Sequence, residues 1–120
     1  MRMIITLLLL AAGAAWACTI GVAAGWATQS GRPLMWKTRD SSGYNNGLRY
    51  VTTQGNDYVA IVDPGSTAVW MGVNDHGFGI LNAYSADLDN TRMGNGELMR
   101  RALATCADIA GFVELLDSTN

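Results

Sequence analysis

The residue with the most chemical potential in this chain is Cys18, because of what precedes it. Ala15-Trp16-Ala17 has the small-x-small form of a secretory cleavage site and ends directly at the cysteine. Cleavage there would make Cys18 the first residue of the mature chain. An N-terminal cysteine carries a nucleophile and a base on one residue. Its thiol attacks as thiolate. Its α-amine has an ordinary pKa of about 7.7–8.0, so a useful fraction is neutral near pH 7 and accepts a proton. The precursor has a non-basic amide in that place, so cleavage would switch the chemistry on. Such a pair suits attack on an acyl carbonyl, and the oxyanion that develops needs donors. Asp40 follows the second strand of an expected hairpin that begins near Cys18, where its carboxylate would orient the α-amine or accept a substrate N–H. Asn82, near the end of a later strand, would donate its side-chain amide to the oxyanion.

Each of these residues also has a plainer role. Asp40 would cap the turn Ser41-Ser42-Gly43, and Asn82 would satisfy backbone groups at a strand end. Cys18 would be a lipid-anchored residue, although Ala15-Trp16-Ala17 lacks the leucine expected of a lipidation signal. It would alternatively bridge to Cys106, the only other cysteine, since export favours disulfides. Cys106 itself falls on an apolar helix face and reads as a buried thiol. His76, the single histidine, reads as an exposed turn residue. Trp26, Trp36 and Trp70 alternate with apolar neighbours and read as core. No metal-ligand spacing is present, and no glycine cluster forms a phosphate loop before a helix, so no metal or cofactor is expected.

The elements that must position these residues begin after a leader. Met1-Arg2 is a positive start, Met3 to Gly13 is an apolar run, and residues 1–17 read as a signal peptide. The run is too short to span a bilayer comfortably, and no later segment is long and apolar enough, so the mature chain is expected to be exported without a membrane span. A formal charge of −2 gives no bulk electrostatic reason to bind nucleic acid or an anionic surface. Residues 18–27 are small and apolar and read as a buried strand. Strands are expected at 34–38, 48–53, 58–62, 67–71 and 78–83, separated by turns at 29–32, 54–57, 63–66 and 72–77. The period then changes. Leu98, Met99, Ala102, Leu103 and Cys106 share one face of a helix that follows Asn95-Gly96, with Arg100 and Arg101 on the other side. Asp108 is placed to cap a second helix carrying Phe112, Leu115 and Leu116. Strands first and helices second is the order of an α+β protein.

Three blocks, in order, resemble one family. CTIGVAAGWATQSGRPLMWKTRD, WMGVNDHGFGILNAYS and NGELMRRALATCADIAGFVELLD are similar to the start of N-terminal-nucleophile hydrolases that act on linear amides. That group includes the choloylglycine hydrolases, with bile salt hydrolases and penicillin V acylases, and the related isopenicillin-N acyltransferase-like proteins. The resemblance implies a four-layer αββα sandwich, with residues 18–120 as its N-terminal portion, incomplete and inactive by themselves. It implies Cys18 as nucleophile with its own amine as base, Asp40 at the catalytic centre and Asn82 at the oxyanion. Bile salt hydrolases carry an Arg three residues before that Asp. Here Lys37 stands there, which keeps the charge without the planar fork, and Arg39 is the alternative. The expected activity is hydrolysis of a small-molecule linear amide by an exported enzyme. Acyl transfer to a second amine, and a non-enzymatic lipoprotein module anchored through Cys18, are the other readings.

Overall fold

The computed structural model describes residues 18–39, 45–83 and 94–119. The architecture is α+β, with antiparallel sheets followed by two helices. A hairpin pairs β1 (Ile20–Ala23) with β2 (Leu34–Lys37), and a 3-10 turn, Gly25–Ala27, lies at its tip. A second, four-stranded sheet contains β3 (Gly47–Val51), β4 (Tyr58–Val62), β5 (Val69–Asn74) and β6 (Gly79–Leu81) in sequence order, each antiparallel to its neighbour. Helices α1 (Asn95–Thr105) and α2 (Ile109–Thr119) follow.

The larger sheet has two unlike faces because strand side chains alternate. Tyr58, Ala60 and Val62 of β4 and Val69 and Gly72 of β5 are buried on the side that meets α1. Met99, Ala102 and Leu103 of the helix, with Cys106 just past its end, close this core. Phe112 of α2 extends it by packing its ring 5.9 Å from that of Phe78. The helical period read from the sequence is therefore the one the core uses. The opposite face carries Leu48, Tyr50 and Val73, which are exposed, together with Val59, Ile61 and Met71, which are half-buried.

The block GVNDHG is the joint of this layer pair. A Cβ at Gly72 would lie 2.6 Å from Leu103 Cδ1 and 2.8 Å from the Val59 carbonyl oxygen, so α1 can sit this close only over a glycine. Asn74 is buried. Its Nδ2 donates to the carbonyls of Leu103 and Cys106 at 3.0 and 2.7 Å, and its Oδ1 accepts from the Phe78 amide at 3.0 Å. Carbonyls at a helix C-terminus have no partner within the helix. Here a strand-end asparagine supplies one, helped by Asn56, whose Nδ2 donates to Cys106 O at 3.0 Å. Gly77, at φ +80°, reverses the chain in a conformation that costs other residues. At the start of α2, Asp108 Oδ1 accepts from Gly111 N at 2.9 Å, the cap expected of it.

Several elements differ from expectation. The strand expected over 18–27 is confined to Ile20–Ala23, and it is exposed rather than buried: Val22 is 68% exposed. Trp26 and Trp36 are not core, at 92% and 49% exposed; only Trp70 is half-buried. An apolar run favours burial, but among the described residues the hairpin strands meet the larger sheet through Met35 against Gly79 and Lys37 against Asn82. The strand expected at 67–71 is shifted to Val69–Asn74, because after the type II turn Asp63-Pro64-Gly65-Ser66 the residues Thr67 and Ala68 stay outside the sheet, with Ala68 N donating to Ser66 Oγ at 3.0 Å. The 78–83 strand is shortened to Gly79–Leu81.

Candidate active site

The seam between the hairpin and the larger sheet is where the expected site residues meet. Met35 and Lys37 point to the same side of β2. Met35 lies against Gly79, where an added Cβ would meet its Cε at 3.4 Å. Two residues on, Lys37 reaches Asn82, just past β6. Its Nζ donates to Asn82 Oδ1 at 2.6 Å and also to the Asn82 main-chain carbonyl. A β-turn or a helix cap does not account for this contact, which joins residues far apart in sequence.

Cys18 belongs to the same seam. In the β1–β2 register Ile20 faces Lys37. The pairing continues outward, with Thr38 N donating to Thr19 O at 2.8 Å and Thr19 N donating to Thr38 Oγ1 at 3.1 Å. Alternation then puts Cys18 on the side of Ile20 and Lys37, diagonal to the lysine. Burial pushes the Lys37 ammonium below its ordinary pKa, the nearby Cys18 sulfur pulls it back up, and Arg39 adds to the lowering. Cys18 is half-buried, and it forms no disulfide with Cys106, which is buried against the sheet in α1's core.

Arg39 takes a separate position. Its Nη1 is 2.8 Å from Asp63 Oδ1 and 2.6 Å from Asn46 Oδ1, and its guanidinium lies 4.0 Å from the centroid of the Trp70 ring. Arg39, donating to it, holds the Asp63 carboxyl below its ordinary pKa. Lys37 and Arg39, with Asn46, Ile61, Trp70 and Met71, line a shallow cavity of about 240 Å³ on the helix-free face of the sheet. Of the two cations weighed at this position, Lys37 is the one that engages Asn82, while Arg39 braces the base of the cavity.

The structure thus brings Cys18, Lys37 and Asn82 into one cluster, with Lys37 as the link. Asp40 lies outside the described residues, as does the expected signal segment 1–17. His76 is exposed in the β5–β6 turn, as expected. Asp63, Asn46 and Trp70 were not singled out as site residues. Asp63 reads as a turn former and Trp70 as core, and only the pairing of β3, β4 and β5 brings them to Arg39. Among the described residues, no three of His, Cys, Asp and Glu are grouped to hold a metal ion, and no helix is long and apolar enough to cross a membrane.

Comparison with protein-family models, with curated proteins and with solved structures finds no match. The functional reading therefore stands on the chemistry of these residues and their arrangement.

Proposed function

We propose that this protein is an exported amidohydrolase of linear, small-molecule amides that uses Cys18 as an N-terminal nucleophile. The observation that carries the reading is the Lys37 bridge, which ties the strand pair leading from Cys18 to the side chain of Asn82. A cysteine after a cleavage signal and an asparagine at a strand end are each common. A lysine that joins their two elements supports reading them as one site.

In this reading the α-amine of Cys18 takes the thiol proton as sulfur attacks the acyl carbonyl. The S–C bond forms, and the Nδ2 group of Asn82 supplies one donor to the oxyanion. Asp40 orients the α-amine. The ammonium returns its proton to the substrate nitrogen, the C–N bond breaks, and the amine leaves. Water then cleaves the thioester, giving the acid and restoring the thiol. The cavity beside Lys37 and Arg39 has apolar walls in Ile61, Trp70 and Met71, and in this reading it receives the acyl group. The four-layer sandwich belongs to the same proposal. The helix-free face, with Leu48, Tyr50 and Val73 exposed, has the apolar character of a sheet that packs on a second sheet.

The test has two parts. Mass analysis of the exported protein is expected to give an N-terminus at Cys18 with an unmodified amine. Against a panel of acyl p-nitroanilides, Cys18→Ala is expected to abolish release of p-nitroaniline, and Cys18→Ser to leave little of it, since a hydroxyl ionises far less readily than a thiol. A mature chain that starts elsewhere, or a Cys18→Ala protein of wild-type activity, ends this reading.

A further inference from the structure

Asn82 has an orientation problem that Lys37 solves. An asparagine side chain presents a carbonyl oxygen on one side and an NH2 group on the other, in nearly the same shape. Packing alone discriminates weakly between the two orientations. Only one of them serves an oxyanion, because the carbonyl oxygen would repel the developing charge. A lysine ammonium has three donors and no acceptor. Held 2.6 Å from Oδ1, and donating at the same time to the main-chain carbonyl of the same residue, the Lys37 Nζ accepts only the orientation with oxygen inward. The NH2 group then faces away from Lys37. Both anchor points lie on one residue, so the amide plane is fixed relative to its own backbone. The lysine sits at the end of β2, opposite Ile20, so the same contact sets Asn82 relative to the strand that carries Cys18.

Resting on the N-terminal-nucleophile reading above, we infer that Lys37 is a positioning residue that selects the donor-presenting orientation of Asn82. The inference differs from a simple charge effect on the Cys18 thiol, and two reagents separate them. Iodoacetamide alkylates sulfur by displacing iodide, without an oxyanion. p-Nitrophenyl acetate acylates it: the S–C bond forms, an oxyanion develops at the acetyl carbonyl, the C–O bond breaks, p-nitrophenolate leaves, and the thiol proton passes to base. The ratio of acylation to alkylation rates at Cys18, followed by mass on the processed protein, isolates the oxyanion contribution without knowledge of the natural substrate.

Asn82→Ala is expected to lower this ratio by roughly a hundredfold to a thousandfold, the usual loss for one oxyanion donor. Lys37→Met is expected to lower it by about tenfold or more, and to add little in the Asn82→Ala background, as residues acting through one another do. Lys37→Arg, which also donates and cannot accept, is expected to restore most of the ratio. Lys37→Gln, able to flip its own amide, is expected to fall between, and it serves where Lys37→Met does not fold by circular dichroism. An unchanged ratio in Lys37→Met and Lys37→Gln, or a loss that adds in full to that of Asn82→Ala, overturns the inference. A fall in both rates together assigns Lys37 to the thiol instead and also overturns it. The underlying reading fails differently: Cys18 would then be alkylated no faster than Cys106 and would not be acylated in any variant.

Discussion

The β3–β6 sheet with its helices and the β1–β2 hairpin are built from similar residues to opposite ends. Both have apolar strands. In the first, alternation is used: Tyr58, Ala60 and Val62 go inward onto α1, and Leu103 and Val69 are almost fully enclosed. In the second, Ile20 and Val22 on one side and Leu34 and Trp36 on the other are all exposed. One region owes its shape to burial, and the other to backbone pairing and a seam of Met35 on Gly79 and Lys37 on Asn82. The candidate nucleophile is on the second. The buried core of the scaffold draws on no hairpin residue, so Asn82 is positioned by the scaffold while the segment that carries Cys18 is fixed by the seam, and the site's geometry depends on few contacts.

The largest effect is expected in the scaffold. Leu103 has no exposed surface, and its Cδ1 fills the space over Gly72. Leu103→Ala removes that contact and leaves a void, at a cost of about 2–5 kcal/mol in chemical unfolding. A loss well under that range would mean that α1 closes over the gap, and that the layer pair is less rigid than its asparagine joint implies.

A smaller effect is expected where the seam region meets the scaffold, at Arg39 and Asp63. The Asp63 carboxyl is held below its ordinary pKa, so its contribution to stability is present above the ordinary value of 3.8 and is lost as pH falls through the lower, folded value. The carboxylate side chain is 39% exposed, and solvent screening keeps the pair weak. Asp63→Asn is expected to cost under ~1 kcal/mol at neutral pH and to flatten the acid limb of the stability curve. An acid limb of unchanged slope would remove the pair from the account of stability. The stacking of Arg39 on Trp70, at 4.0 Å, would then be what holds it.

How far the sequence revealed this arrangement depends on whether a signal was local or tertiary. The helix face of Met99, Ala102, Leu103 and Cys106 and the Asp108 cap were legible because period and capping act within one turn. The GVNDHG block was legible as a turn, but its main work was not. Asn74 satisfies carbonyls at the end of a helix about thirty residues downstream, and no local rule reports that. The burial assigned to residues 18–27 failed because an apolar run states what prefers to be covered, without saying what covers it. Cys18 and Asn82 were nameable from residue type and position. That Lys37 and not Arg39 engages Asn82 was not, since both lie near the end of the same strand. Alternation separates them less than the bracing by Asp63 and Asn46 does.

The smallest effect is expected at Val22, and it is read against the same substitution made at Val69 in the scaffold. Val69 is 1% exposed and Val22 is 68% exposed. Trimming either to alanine removes the same two methyl groups. At Val69 they lie in the core under α1, so Val69→Ala is expected to cost about 2 kcal/mol, from lost burial plus an unfilled void. At Val22 they face solvent in the described structure, and Val22→Ala is expected to stay within about 0.5 kcal/mol of the parent, as substitutions at exposed positions do. Urea denaturation of the two variants side by side makes the comparison independent of the absolute stability of the chain. If Val22→Ala costs as much as Val69→Ala, the hairpin is covered in the working protein. The contrast between an enclosed scaffold and an exposed hairpin would then be replaced by a single core that runs through both. The seam at Lys37 would become an interior contact rather than a surface one, and Lys37 would lose more of its hydration and titrate still further below its ordinary range.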